Sequence, residues 1–257
     1  MQLAGDGFAD RSMNPTPKKL KVDPIVEALL EVRFTSAELP EFVIGKLVAE
    51  SQWTKLAPER LPFADMPGPI RDSDPTLKFQ PTIQLVSPTK AFAVKIGPHV
   101  LSMHTLKPYP GWAVFGDELH RGLAFLFSAL AGFQAVRFGF RYVNMFTKEQ
   151  HGVSGLNELN LHISLANDAL NTDANLNYIR SSGSDFNSLV RLASAAFVAP
   201  RPGDMTVLAD IDIFTPDAFS TADVDVAHAW LENAHNLLKD EFFKLFTDDL
   251  KKRLVEN

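Results

Sequence analysis

From Ala28 to Phe34 the apolar residues Ala28, Leu30, Val32 and Phe34 alternate with Glu27, Leu29, Glu31 and Arg33. A period of two predicts a half-buried strand with one polar face, opening near Pro24. Between Glu41 and Gln52 the period changes: Phe42, Ile44, Leu47 and Val48 fall near helical spacing, with Pro40 suited to a first turn. Residues 54–75 carry Pro58, Pro62, Pro67, Pro69 and Pro75 and predict an extended surface loop, either a lid or a crossing. Leu77 to Val86, Ala91 to Ile96 and Val100 to Leu106 then read as an antiparallel meander. From Trp112 to Leu130 the stripe Phe115, Leu119, Leu123, Leu126, Leu130 predicts an amphipathic helix.

The second half follows a similar plan. Gln134 to Phe146 is a predicted strand with Phe138, Phe140 and Tyr142 on one face and Arg137, Gly139 and Arg141 on the other. Leu159 to Leu165, Asn175 to Ser181, Ser188 to Phe197 and Thr206 to Phe214 are further predicted strands. Ala227 to Val255 reads as one long helix with Trp230, Leu237, Leu238, Phe242, Leu245, Phe246 and Leu250 on its apolar face. The fold class expected is therefore α+β: antiparallel meanders with long helices on one face. The expected division is a disordered tail over 1–23, a first half over 24–133 and a second over 134–257, together forming one body. Trp112 precedes Phe125 by the same interval as Trp230 precedes Phe243. That interval suits an internal duplication, and equally suits two unrelated helices that each press an aromatic against a sheet.

Composition narrows the chemistry. The chain of 257 residues has no cysteine, which removes disulfides, thiol nucleophiles and cysteine-ligated metals. A net charge of -6 supplies no broad positive field, so nucleic acid is not expected as a partner; Lys18, Lys19 and Lys21 read as a solvated tail. The polar start contains no secretory core, and no apolar run reaches the roughly 20 residues of a bilayer span, so a cytoplasmic protein without membrane contact is expected. Met13 offers an alternative start that would leave the first dozen residues outside the fold. No phosphate loop, dinucleotide fingerprint, nucleophile elbow or His-Glu-x-x-His segment is present, and no cofactor is expected.

What remains is carboxylate and arginine chemistry. Asp210 and Asp212 share one face of their strand, about 7 Å apart. With Glu27, Glu31 and Arg33 of the first strand and Arg137 and Arg141 of the later one, they could line a single polar groove. Such a set can form a cross-strand lattice of opposite charges. It could instead hold divalent metal for hydrolysis or phosphoryl transfer, given a third ligand. The lattice is the favoured reading, and no metal site is assigned.

Pro24-Ile25-Val26-Glu27-Ala28-Leu29-Leu30-Glu31-Val32-Arg33-Phe34, Phe140-Arg141-Tyr142-Val143-Asn144 and Asp210-Ile211-Asp212-Ile213-Phe214, with the closing aromatic helix, resemble a sporadically distributed, uncharacterised family of bacterial proteins of this size. The resemblance covers the chain from about Pro24 onward and is most specific in its opening segment. It implies a bacterial protein of an accessory locus, such as defence or toxin–antitoxin, and no particular reaction. The meander-plus-helix pattern is also loosely similar to export chaperones. A non-catalytic adaptor or chaperone-like protein that binds a protein partner or itself is thus the expected function, with a metal-dependent hydrolase or phosphoryl-transfer enzyme as the alternative.

Overall fold

The computed structural model describes residues 19–49, 53, 55–165, 168–169, 173–182, 184–198 and 203–256. The chain runs through β1 (Ile25–Thr35), α1 (Pro40–Val48), β2 (Ala57–Arg60), α2 (Gly68–Ser73), β3 (Ile83–Val86), β4 (Phe92–Gly97), β5 (Val100–Leu106) and α3 (Trp112–Ala129). It continues through β6 (Gln134–Thr147), α4 (Lys148–His151), β7 (Ser164–Leu165), β8 (Asp168–Ala169), β9 (Asn175–Ser182), β10 (Phe186–Ser194), β11 (Met205–Phe214), α5 (Val224–Lys244) and α6 (Asp248–Leu254).

A nine-stranded antiparallel sheet has the order β2-β3-β4-β5-β1-β6-β11-β10-β9, and β7 and β8 form a separate hairpin. The α+β class is as the sequence predicts. β1 and β6 pair at the centre, β5 returns to β1, and β11 returns to β6. Each half therefore runs strand, short helix, meander and long helix. This parallel is one of connectivity. A single hydrophobic cluster spans both halves, joining Leu30 and Phe34 of β1, Leu119 and Leu123 of α3, Phe140 of β6, Ile211 of β11 and Leu231 and Leu238 of α5. The predicted α3 stripe is wholly buried. Among the described residues no helix is long and apolar enough to cross a membrane.

The structure departs from the pattern where tertiary partners intervene. Residues 19–23, expected in the tail, are docked: Leu20 is buried and bridges Val255, and the Lys21 amide donates to the Leu254 carbonyl at 2.8 Å. Met13 and Lys18 lie outside the described residues. The proline-rich segment is not a plain loop, since it supplies the edge strand β2, a 3₁₀ turn at Pro62–Asp65 and α2. The prolines at the start of the turn and of α2 occupy first-turn positions, where no amide hydrogen is needed. β3 begins only at Ile83, and β10 ends at Ser194 in a 3₁₀ turn.

The closing helix is two helices. Thr247 caps α6, its hydroxyl accepting from the Leu250 amide at 3.2 Å. The predicted strand at Leu159 to Leu165 is replaced by a 3₁₀ turn at Leu156–Glu158 and the two-residue β7. Asn160 explains both corrections: its amide donates to the Leu245 carbonyl at 2.7 Å and its Nδ2 to the Lys244 carbonyl at 3.1 Å. These bonds satisfy carbonyls at the end of α5 and take the segment away from the sheet.

Candidate functional site

Alternation along β1, β6 and β11 sends one set of side chains into the core under α3 and α5 and the other set to the opposite face. All of Glu27, Glu31, Arg33, Arg137, Arg141, Asp210 and Asp212 stand on that opposite face, on three adjacent strands. They pair with one another. Arg141 grips Asp210 with two parallel bonds, Nε to Oδ1 and Nη2 to Oδ2, both 2.6 Å. Arg137 lies 3.0 Å from Glu31 Oε1 and 3.5 Å from Asp212 Oδ2. Arg33 reaches the same Glu31 oxygen at 2.8 Å.

Directly opposed like charges are unfavourable. Arg33 and Arg137 are cross-strand partners, and Glu31 between them offsets their repulsion. Each guanidinium also lies over a ring, Arg33 over Phe79 at 4.9 Å and Arg137 over Phe214 at 5.0 Å. Gly139 makes room for this arrangement, because a Cβ there would stand 2.8 Å from Arg137 Nη1. Asp212 is the poorly served member. Burial pushes its carboxyl up to about 6, against the pull of Arg137 and Arg141 and with the added push of Glu31 and Asp210.

This geometry favours the charge lattice. The bidentate guanidinium takes both oxygens of Asp210, and Glu31 is shared between two arginines, so these carboxylates are directed at cations the chain already supplies. Among the described residues no three His, Asp or Glu side chains are placed to hold a metal ion.

Sequence reasoning missed a neighbouring relay. Ser102 and His104 of β5 stand on the same face beside β1; Ser102 Oγ is 2.8 Å from His104 Nε2, and His104 Nδ1 is 2.8 Å from Glu27 Oε1. Their spacing of two on a strand was the available signal. Burial lowers the pKa of His104, favouring the neutral imidazole. The hydrogen bond from His104 lowers that of Glu27, so the Nδ1–H donates to a carboxylate and Nε2 accepts from Ser102. The order resembles that of an activated serine. However, β5 is paired on both sides, with β1 and with β4, so its amides serve the ladder and form no oxyanion hole. The trio extends the lattice.

Among the described residues the sheet ends at β9, which pairs with β10 on one side and carries Tyr178 and Ile179, 59% and 66% exposed, on its two faces. Comparison with models of protein families and with curated proteins gave no match.

Proposed function

We propose that this chain is a non-catalytic adaptor or chaperone-like protein that takes an extended segment of a protein partner onto β9. The reading follows the resemblance to a bacterial accessory-locus family and places the protein in the cytoplasm. One observation carries it: an eight-residue strand at the edge of a large sheet, with two large apolar side chains exposed on opposite faces. Edge strands left long and apolar template further pairing, and soluble proteins usually blunt them with charge, proline or a cover. β9 has its one arginine, Arg180, turned to Glu241 of α5. Main-chain bonds would supply affinity, while Tyr178 and Ile179 would select low-charge, apolar segments.

The test uses the full chain and reduced, carboxymethylated α-lactalbumin, a permanently unfolded polypeptide, in fluorescence anisotropy, with light scattering to follow self-association. Tyr178→Lys with Ile179→Lys places charge on the edge without touching the core. The expected result is saturable binding that weakens at least tenfold in the double variant. Equal binding by both proteins, or no association of the wild type with the unfolded chain or with itself, refutes the reading.

A further inference from the structure

On the helix side of the sheet, away from both the lattice and the β9 edge, a cavity of about 350 Å³ lies between α5, the start of β1, the end of β6 and the segment preceding α3. That size matches small-molecule sites, which combine apolar walls with a few convergent polar groups. Aromatic rings from three elements form one part of its wall, beside aliphatic Leu20, Ile25 and Leu238. Trp112 stacks on His235 with ring centres 3.9 Å apart and planes 4° from parallel, and Phe242 and Phe243 contribute from the next turns of α5.

The polar groups matter more. Tyr109 and Tyr142 share one hydrogen bond between their hydroxyls at 2.6 Å. Two hydroxyls carry two hydrogens and this bond uses one, so the pair keeps a donor. Asn144 is buried, and its Nδ2 donates to the Ala209 carbonyl at 3.0 Å. This bond fixes the amide so that Oδ1 is the remaining acceptor, and it has no hydrogen bond among the described residues. His235 has ring contacts and no hydrogen bond among the described residues.

These groups are neutral near pH 7. Burial pushes His235 down to about 4 and Tyr109 up to about 12, and it raises Tyr142 well above its ordinary value. The lining also carries Lys19, Asp23 and Lys239, charges of both signs. A strongly charged ligand therefore meets a like charge as well as an opposite one and gives up its hydration, whereas a neutral ligand meets neither penalty. A purely apolar ligand would leave Asn144 Oδ1 and a tyrosine hydroxyl dry and unpaired, which is unfavourable.

We infer that this cavity binds a neutral, planar compound of one or two fused rings that carries both a hydrogen-bond donor and an acceptor. The ring lies among Trp112, Phe242 and Phe243. The ligand's acceptor receives the spare tyrosine proton, and its donor is accepted by Asn144.

The test is isothermal titration calorimetry on the full chain with three probes of one shape: 2-quinolinone, which has a donor and an acceptor; coumarin, which has the acceptor alone; and naphthalene, which has neither. The expected order of affinity is 2-quinolinone, coumarin, naphthalene, with at least tenfold between the first and the last. Leu238→Trp fills the cavity and should abolish binding. Because Leu238 is fully buried, the isosteric Tyr109→Phe/Tyr142→Phe variant is measured beside it, with thermal melts confirming folding. That variant should lose about tenfold in affinity for 2-quinolinone and coumarin and none for naphthalene. Absence of saturable 2-quinolinone binding below 1 mM, equal affinity for all three probes, or an unchanged affinity of the tyrosine variant for 2-quinolinone and coumarin overturns the inference. None of these outcomes bears on β9.

Discussion

Replacing Asp212 with asparagine should change how stability depends on pH. In the folded chain burial raises this carboxyl from 3.8 to about 6, and its side chain is only 19% exposed. Between those values the folded protein holds a proton that the unfolded chain has released. Stability therefore falls as pH rises through the window, and the contribution present below about pH 4 is lost above about pH 6. A difference of about two pH units corresponds to roughly 3 kcal/mol. In Asp212→Asn the side-chain amide oxygen would accept from Arg137 without ionising, so the variant lacks this term. Urea unfolding of both proteins, from pH 4 to 7.5 at fixed ionic strength, should show the variant gaining on the wild type by up to about 3 kcal/mol as pH rises. Parallel stability curves, or a variant that loses ground as pH rises, would refute the assignment of Asp212 as the strained member of the lattice.

The Arg141 and Asp210 pair predicts the opposite sense. Arg141→Ala leaves a buried carboxylate without its bidentate partner and should cost about 2–3 kcal/mol in chemical unfolding, while Arg141→Met with Asp210→Leu recovers most of it; a neutral single variant would contradict the pairing. Gly122→Ala would ordinarily favour the α3 helix by up to about 1 kcal/mol. Here the added Cβ collides with Met103, which is fully enclosed on β5, so a net loss of about 1–2 kcal/mol and a lowered Tm are expected.

Period and spacing alone made the central layout legible. The alternation in β1 and β6, and the Phe115 to Leu130 stripe, are local consequences of strand and helix geometry. Any chain that buries Ala28, Leu30, Val32 and Phe34 must turn Glu27, Glu31 and Arg33 the other way. The candidate groove residues were therefore readable as a polar set before their strands had neighbours. The missed boundaries follow from long-range contacts. Leu20 reads as part of a charged tail until the C-terminal end packs against it, and Ala227 to Val255 reads as one helix until Asn160 takes the carbonyls at the end of α5.

The meaning of the polar set was decided by strand order. Placing β6 between β1 and β11 sets Arg137 against Glu31 and Asp212, and Arg141 against Asp210, which turns candidate metal ligands into partners of guanidinium groups. The same order brings β5 beside β1, so His104 meets Glu27 across a separation of 77 residues. The aromatic cavity and the exposed β9 edge have no period to announce them. A cavity is the space left between elements distant in sequence, and an edge is the strand that finds no further neighbour. Local alternation sets which side of each strand is wet; what those wet residues face follows from the assembled sheet, because pairing across it depends on which strands lie side by side.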